Sequence, residues 1–153
     1  MSNSDVPATG RGPSGPRAGL GRRLVAAIID GVLLNIVSLV LQLVFGRALG
    51  TALAIGAGLA YACFLEGSPS GQTVGKRAMS IRVIDLTSGG PLAGAQAPVR
   101  YVGRIISFIP CALGYFWAIW DNEKQAWHDK IAGTVVVPVS AYPVAAWPGR
   151  EHR

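Results

Sequence analysis

The sequence predicts an all-α membrane protein: a small helical bundle of two full transmembrane helices plus a third crossing or Pro-broken re-entrant segment, with a short two-stranded polar cap. Two observations predict this fold class. Residues 24–45, 48–65 and 101–120 form apolar runs in which only Asp30 and Arg104 are charged. A bilayer core about 30 Å thick requires roughly 20 apolar residues in a helix. Charged residues make up 14% of the 153-residue chain, against about 25% in an ordinary soluble domain.

A soluble helical protein is the alternative, but its buried core helices usually contain apolar stretches of only about 10–14 residues. The net charge is +6, from 14 basic and 8 acidic residues. Because the basic residues flank the apolar runs and no nucleic-acid-binding motif accompanies them, we expect no nucleic acid partner. We expect the lipid bilayer as the main partner, with Lys76 and Arg77 of the central loop contacting anionic headgroups.

The composition divides the chain into three parts. Residues 1–21 predict a disordered basic tail, because a segment dominated by Gly, Pro and Ser cannot bury enough apolar surface to fold. Residues 22–138 contain all three apolar runs and form the predicted membrane domain. Residues 139–153 predict a flexible C-terminal tail. The first apolar run is longer than the core of a cleaved signal peptide, about 7–15 residues, so we expect a retained helix that begins after Arg23.

The first two runs predict an antiparallel hairpin, because only residues 45–47 join them. In the first helix, five polar residues fall within an arc of about 140° at about 100° per residue. Intramembrane polar side chains usually face protein or a cavity, so this arc predicts the protein-facing side. The five residues are Arg23, Asp30, Asn35, Ser38 and Gln42.

The second helix carries small residues at four-residue spacing, a pattern that lets helix backbones approach closely. These residues are Gly50, Ala54, Gly58 and Ala62. We favour packing over simple tolerance in lipid, and we expect a surface for a homo-oligomer or a partner membrane protein. Cys63 and Cys111 lie inside apolar runs without Cys-x-x-Cys spacing, which indicates packing residues and neither a metal nor a cofactor.

Two short strands are predicted, at residues 79–85, where apolar and polar side chains alternate, and at residues 134–137. They are natural partners, but three full crossings would place them on opposite sides of the membrane. A re-entrant segment centred on Pro110 would allow the pairing, since buried non-helical backbone is tolerated at membrane depth. We favour this alternative and leave the third crossing open.

The distribution of basic residues predicts the orientation. Four precede the first helix, four lie between the second and third runs, and one lies between the first two helices. Because positively charged loops favour the cytoplasmic side, we expect a multi-pass protein of the cytoplasmic (inner) membrane with a cytoplasmic N-terminus.

Four segments, in this order along the chain, resemble the RDD family of bacterial membrane proteins. They are RLVAAIID at residues 23–30, QTVGKR at 72–77 followed by IRVID at 81–85, Arg104, and HDKIAGTVVV at 128–137. The last segment would supply the second aspartate of the family pattern, Asp129. The resemblance covers roughly residues 20–138 and implies a membrane protein whose suggested role is the transport of ions or small solutes.

Asp30 is the sharpest candidate for a functional residue, because an aspartate at membrane depth costs roughly 2.5–3.5 kcal/mol on insertion scales. Arg23 lies seven residues away, too far along the helix for easy pairing. We therefore expect an ion pair between Asp30 and Arg104 in fork geometry. Arg23, Asp30, Arg104 and Asp129 together form a candidate polar cluster, which either binds an ion or proton or fixes helix register.

Catalysis is not expected. The Gly71–Lys76 stretch has the wrong spacing for a phosphate-binding loop. His128 and Asp129 have no nucleophile placed beside them by any recognisable motif, so we expect Asp129 to bond backbone amides or the basic residues Lys76 and Arg77. Two functions remain: transport of ions or small solutes, and a non-transporting accessory or scaffold role in which the helices assemble with a partner.

Overall fold

The computed structural model describes residues 15–108 and 113–142. Two long helices come first, α1 (Leu20–Phe45) and α2 (Arg47–Glu66), and only Gly46 separates them. Both are long and apolar enough to cross a membrane, with mean hydropathies of 2.5 and 1.8. Little of either helix is buried inside the chain, so most of their apolar side chains face outward. The two apolar helices of membrane-spanning length are confirmed, and α1 begins four residues before the predicted start at residue 24.

The remaining elements form a polar cap at one end of this hairpin. They are α3 (Val74–Ala78), β1 (Ile81–Asp85), α4 (Gln96–Phe108), α5 (Leu113–Phe116), a 3-10 turn (Trp117–Ile119), α6 (Trp127–Ala132) and β2 (Thr134–Pro138). The cap packs on the first turns of α1, where Ala26 joins Ile81, Val83 and Val136 in one apolar cluster. It therefore covers the end of the hairpin at which α1 begins and α2 ends.

The two short strands pair as predicted. β1 and β2 are antiparallel, with Ile81 opposite Pro138 and Asp85 opposite Thr134. The first strand is not half-buried, however, because both of its faces are covered: Ile84 packs with Val135 on the face opposite Ile81. Since these strands lie before and after the third apolar run, both ends of that run lie at the same end of the hairpin.

The third run is broken. Near the start of α4, Ala97 lies beside Gly67. The helix then runs back along α2, where the Tyr101 hydroxyl donates to the Ile55 carbonyl at 3.3 Å. Its 13 residues extend about 20 Å at 1.5 Å per residue. The short α5 and the 3-10 turn then lead toward α6. Pro110, on which the re-entrant interpretation is centred, lies outside the described residues.

The folded region starts before the predicted tail boundary at residue 21. Ala18 is buried, and its N–H donates to the Val136 carbonyl at 2.9 Å, which adds this segment to the sheet edge. At the other end, the Val139 N–H donates to the Ser80 carbonyl at 2.9 Å. Backbone hydrogen bonds therefore extend the folded region past both predicted tail boundaries, because Ala18 pairs with β2 and Val139 pairs with the residue before β1. Residues 1–14 and 143–153 lie outside the described residues.

The small-residue ladder of α2 packs within the chain. A Cβ at Gly50 would lie 2.4 Å from Gln42 Cα on α1, and one at Gly58 would lie 2.5 Å from the Tyr101 hydroxyl on α4. Ala62 is buried as well. These residues therefore pack within the chain. α1 and α4 cover the surface on which the sequence predicts contact with another copy or a partner membrane protein.

Candidate functional site

Charged side chains meet where α1, α2, α4 and α6 come together. Two carboxylates, Glu66 and Asp129, are 0% exposed. Buried charges are strongly unfavourable unless they are paired and hydrogen-bonded. Four cations surround these carboxylates: Arg23, Lys76, Arg100 and Arg104.

Glu66, the last residue of α2, takes three cationic partners. Its Oε1 contacts Lys76 Nζ and accepts from Arg104 Nη2 at 2.8 Å, while its Oε2 accepts from Arg100 Nε at 3.1 Å. Arg100 and Arg104 are four residues apart in α4, so they project from the same helix face. Burial lowers the pKa of Lys76, although Glu66 opposes that effect.

Asp129 lies in the first turn of α6 and takes two arginines. Its Oδ2 contacts Arg23 Nη2 and accepts from the Ala126 N–H at 3.1 Å, while its Oδ1 contacts Arg100 Nη1. Burial acts to raise the pKa of Asp129, but Arg23 and Arg100 outweigh burial and hold the pKa well below its usual value. Because Arg100 also contacts Glu66, the two carboxylates belong to one continuous network.

Asp30 has only neutral partners. Its Oδ1 accepts from the Tyr61 hydroxyl at 2.7 Å and from the Gly75 N–H at 2.8 Å, and its Oδ2 accepts from the Thr73 hydroxyl. These bonds hold α3 against α1. A Cβ at residue 75 would lie 2.1 Å from the Ala26 carbonyl oxygen, so only glycine permits this close approach.

The predicted ion pair between Asp30 and Arg104 is wrong. Arg104 pairs with Glu66, and hydroxyl and backbone donors already surround the Asp30 carboxylate. Of the predicted cluster, the structure brings Arg23 and Asp129 into direct contact, and it links Arg104 to them through the Glu66–Arg100 bridge. Asp30 lies beside this network without an ion-pair partner among the described residues.

The predicted contact between Lys76 and lipid headgroups is wrong, because Lys76 is buried and its ammonium group contacts Glu66. It is therefore also not the partner of Asp129, which instead accepts a backbone N–H as expected. Arg77 is exposed at the end of α3, and its headgroup contact stays a prediction.

Sequence reasoning missed Glu66 and Arg100. Glu66 lies between an apolar run and a Gly/Ser/Pro-rich segment, so its position in the sequence predicts an ordinary loop residue. Arg100 directly precedes the third apolar run. One signal was available: Arg100 and Arg104 have the spacing that places two like charges on one helix face, which is unfavourable unless a carboxylate lies between them.

A cavity of about 180 Å³ lies between α1 and the cap. Its lining includes all four cations of the network together with Asp30 and His128. His128 is 2% exposed, and its ring centroid lies 4.9 Å from that of Tyr115. Burial lowers the pKa of His128 well below its usual value; the nearby arginines reinforce this effect and Asp129 opposes it. The imidazole is therefore neutral at neutral pH.

The described residues contain no group of three or more His, Cys, Asp or Glu side chains that is placed to hold a metal ion. The cavity is lined both by apolar side chains, such as Leu34 and Ile81, and by charged ones.

The chain is similar to several bacterial proteins. The proline-rich antigen homolog of Mycobacterium tuberculosis is 32% identical over 97 residues, which cover 61% of this chain and 40% of that protein. The proline-rich antigen of Mycobacterium leprae is 30% identical over 70 residues, which cover 46% of this chain and 28% of that protein. An uncharacterised protein of Rickettsia prowazekii is 28% identical over 67 residues, which cover 44% of this chain and 36% of that protein.

The chain thus spans well under half the length of each of these relatives. No solved structure matches it significantly. The family model for the RDD family matches residues 17–133, a range that includes both long helices, the buried network and most of the cap. This chain is therefore a member of the RDD family.

Proposed function

We propose that this membrane protein is a multi-pass component of the cytoplasmic membrane that takes part in the transport of ions or small solutes. The observation that carries the proposal is the cavity of about 180 Å³ between α1 and the cap, lined by charged side chains at one end of a membrane hairpin. A cluster that only fixed helix register would need no cavity. Solute transport instead requires a polar site that connects the hairpin with the cap.

A re-entrant third run is part of this proposal. The core of the bilayer is about 30 Å thick, whereas α4 extends only about 20 Å. The pairing of β1 with β2 and the antiparallel course of α4 along α2 support a segment that enters the membrane from the side of the cap and returns to it. With the positive-inside rule, this arrangement puts the cap in the cytoplasm.

A single hairpin does not enclose a pathway, so transport requires further copies or a partner membrane protein. With the ladder of α2 occupied, small residues remain on another face of that helix, where Ala52, Gly56 and Ala60 are exposed. A Cβ at Gly56 would meet nothing within 4 Å. Close helix contact at this face would supply the assembly that transport needs.

The test is flux in proteoliposomes that contain the purified full chain. Ion-sensitive dyes and radiolabelled solutes report movement across the vesicle membrane. We expect flux with the native protein, a loss of at least tenfold with Arg104→Gln, and no change with Arg47→Gln. Arg47 is exposed at the start of α2, far from the cavity, and is the matched control for the loss of one arginine. Absence of flux from folded native protein would contradict the proposal.

The second candidate is a non-transporting accessory or scaffold protein. The extensive pairing of the network favours it, because Glu66, Asp129 and Asp30 each have at least three hydrogen-bonding or ionic partners and are well suited to a rigid clamp. Purification with a stable partner membrane protein, combined with no intrinsic flux, would favour this candidate over transport.

A further inference from the structure

A strongly polar side chain lies exposed near the middle of the first membrane helix. Asn35 stands close to the midpoint of the apolar run 24–45 and about 18 Å along α1 from Arg23, which joins this helix to the cap. Its side-chain amide donates to the Gly31 carbonyl at 2.8 Å, one turn earlier in the same helix. Among the described residues, no second partner for this amide is present. One N–H and the side-chain oxygen of Asn35 are therefore left for a partner outside the chain.

The lipid cannot supply that partner. The hydrocarbon core of a bilayer contains no water, and a polar group placed there without a hydrogen bond is unfavourable. Polar side chains in membrane helices therefore face protein or a water-filled cavity, and Asn commonly forms hydrogen bonds between helices. Asn35 is not among the residues that line the cavity between α1 and the cap. A second membrane helix is the partner that fits its position.

The surroundings of Asn35 have the pattern of a helix–helix contact. Ile28, Val32, Asn35 and Leu39 follow one another at spacings of four, three and four residues, and they form what we call the α1 seam. At about 100° per residue they fall within an arc of about 60°. The three apolar members are exposed by 64%, 56% and 59%. Alternating spacings of three and four are typical of helix pairs that cross at about +20°, the commonest arrangement in membrane bundles.

We propose that α1 of a second copy of this chain covers the α1 seam, with the Asn35 amides of the two copies bonded to each other across a two-fold axis. Copies inserted in one membrane share one orientation, so their α1 helices run parallel and their Asn35 side chains lie at the same depth. An amide is both donor and acceptor, so two of them satisfy each other in a symmetric contact. A different membrane protein would need a polar residue at this depth, whereas a second copy necessarily has one.

The rest of the chain leaves room for this contact. Ala26 and Asp30, which the cap covers, are buried on a different face of α1 from the seam. The exposed small-residue face of α2 around Gly56 also stays open, so further copies can join the pair and enclose a pathway. The inference thus names a partner for the assembly that the proposed function requires, and it rests on that proposal only for its biological role.

Cysteine cross-linking in phospholipid vesicles tests the contact. The background is the full chain with Cys63→Ser and Cys111→Ser, reconstituted without other proteins, and each variant then carries a single cysteine. A disulfide forms only where the two Cβ atoms approach to about 4.5 Å or less. With a mild oxidant, we expect disulfide-linked dimers from Val32→Cys and from Leu39→Cys, because both residues lie on the seam.

The matched controls are Leu33→Cys and Val40→Cys. Each lies one residue beyond a seam position, so it differs by only about 1.5 Å in depth but by about 100° around the helix. Both native side chains are exposed, at 38% and 53%. We expect these two variants to stay monomeric under the same oxidant. Monomers from all four variants, or equal cross-linking at seam and control positions, would overturn the proposal.

The role of the amide is tested by energy transfer between donor- and acceptor-labelled copies in the same vesicles. Asn35→Leu keeps the size of the side chain but removes the amide, and it should weaken self-association about three- to tenfold, as expected for one hydrogen bond between membrane helices. Asn35→Gln keeps an amide and should associate nearly as the native chain does. Circular dichroism and size-exclusion chromatography check the folding of both variants. The cross-linking variants retain Asn35, so they test the contact even where Asn35→Leu fails to fold.

Two further outcomes bear on the proposal. If Asn35→Leu associates as tightly as the native chain, or if the native chain does not self-associate in these vesicles, the seam does not bind a second copy through Asn35. Flux in proteoliposomes separates this inference from the proposed function. Pairing through α1 without flux would sustain the inference and refute transport, whereas flux from a chain that stays monomeric would do the reverse.

Discussion

Glu66 and Asp129 show how single residues control this fold. Each carboxylate is fully buried and pairs with at least two cations, so the loss of either would leave at least one buried cation without its ionic partner. Asp30 differs from them, because its donors are hydroxyl and amide groups. The residue that looks most exceptional in the sequence is therefore not the one that carries the ion pairs.

Glu66→Gln is expected to destabilise the protein by about 3–5 kcal/mol, the usual cost of removing one partner of a buried ion pair. Thermal unfolding in detergent measures the change. The control is Glu123→Gln, because the Glu123 side chain that pairs with Arg17 is 43% exposed, although Arg17 itself is 8% exposed. A pair with one exposed partner should contribute less than a fully buried one. Equal effects of the two substitutions would contradict the proposed importance of the network.

The buried imidazole of His128 makes stability depend on pH. Its pKa is lowered in the folded state, so below the unfolded value of about 6.5 the unfolded chain binds a proton that the folded chain does not. Stability should fall as the pH drops below about 6.5, by up to about 1.4 kcal/mol per pH unit. Asp129, with a lowered pKa, keeps its contribution until the pH falls below about 4.

Unfolding midpoints measured from pH 7.5 to pH 3 check this dependence. His128→Phe should flatten the decline between pH 6.5 and pH 5 while leaving the further loss below about pH 4, to which Asp129 contributes. An unchanged decline in the variant would assign the pH dependence to another group.

At the scale of elements, close approaches of the backbone decide how the cap docks. α3 lies on α1 only because residue 75 has no side chain to meet the Ala26 carbonyl. α4 lies along α2 because Gly58 leaves room for Tyr101. The sheet then returns the third run to the same end of the hairpin. Small residues thus allow the close approach of whole elements, and the ion pairs join the same elements.

Gly75→Ala should destabilise the protein by about 1–3 kcal/mol, the usual cost of overpacking, because its Cβ would lie 2.1 Å from the Ala26 carbonyl oxygen and 3.0 Å from Asp30 Cγ. The matched control is Gly56→Ala, whose Cβ would meet nothing within 4 Å. Alanine in place of this helical glycine should be neutral or slightly stabilising. Thermal unfolding of both variants under the same conditions measures the difference, and a similar loss in both would refute this docking geometry.

At the scale of the whole molecule, the paired strands constrain the membrane topology. β1 precedes the third run and β2 follows it, and the chain from Ala18 also joins β2. The segments on both sides of the hairpin and of the third run therefore belong to a single cap. The hairpin turn around Gly46 lies at the far end of the two long helices.

Reporter fusions test the proposed topology. A fluorescent protein at the C-terminus should fluoresce and a phosphatase there should be inactive, because both termini are expected in the cytoplasm. A phosphatase inserted at residue 46 should be active. An active C-terminal phosphatase would show that the third run crosses the membrane completely, and it would contradict the re-entrant proposal.

Local patterns in the sequence were sufficient for the two long helices, their short connection and the strand pair. Asp129 was predicted from the family resemblance, and the structure pairs it with Arg23. Hydropathy and periodicity depend on residues that are close in sequence, so they predict these elements without the tertiary structure. The partners of Asp30, Glu66 and Arg104 depended on three-dimensional packing. Glu66 and Arg100 lie 34 residues apart in sequence, and Arg23 and Asp129 lie 106 apart. A buried carboxylate can form an ion pair with any cation that lies close to it. The docking of α3, α4 and α6 on the hairpin decides which cation that is.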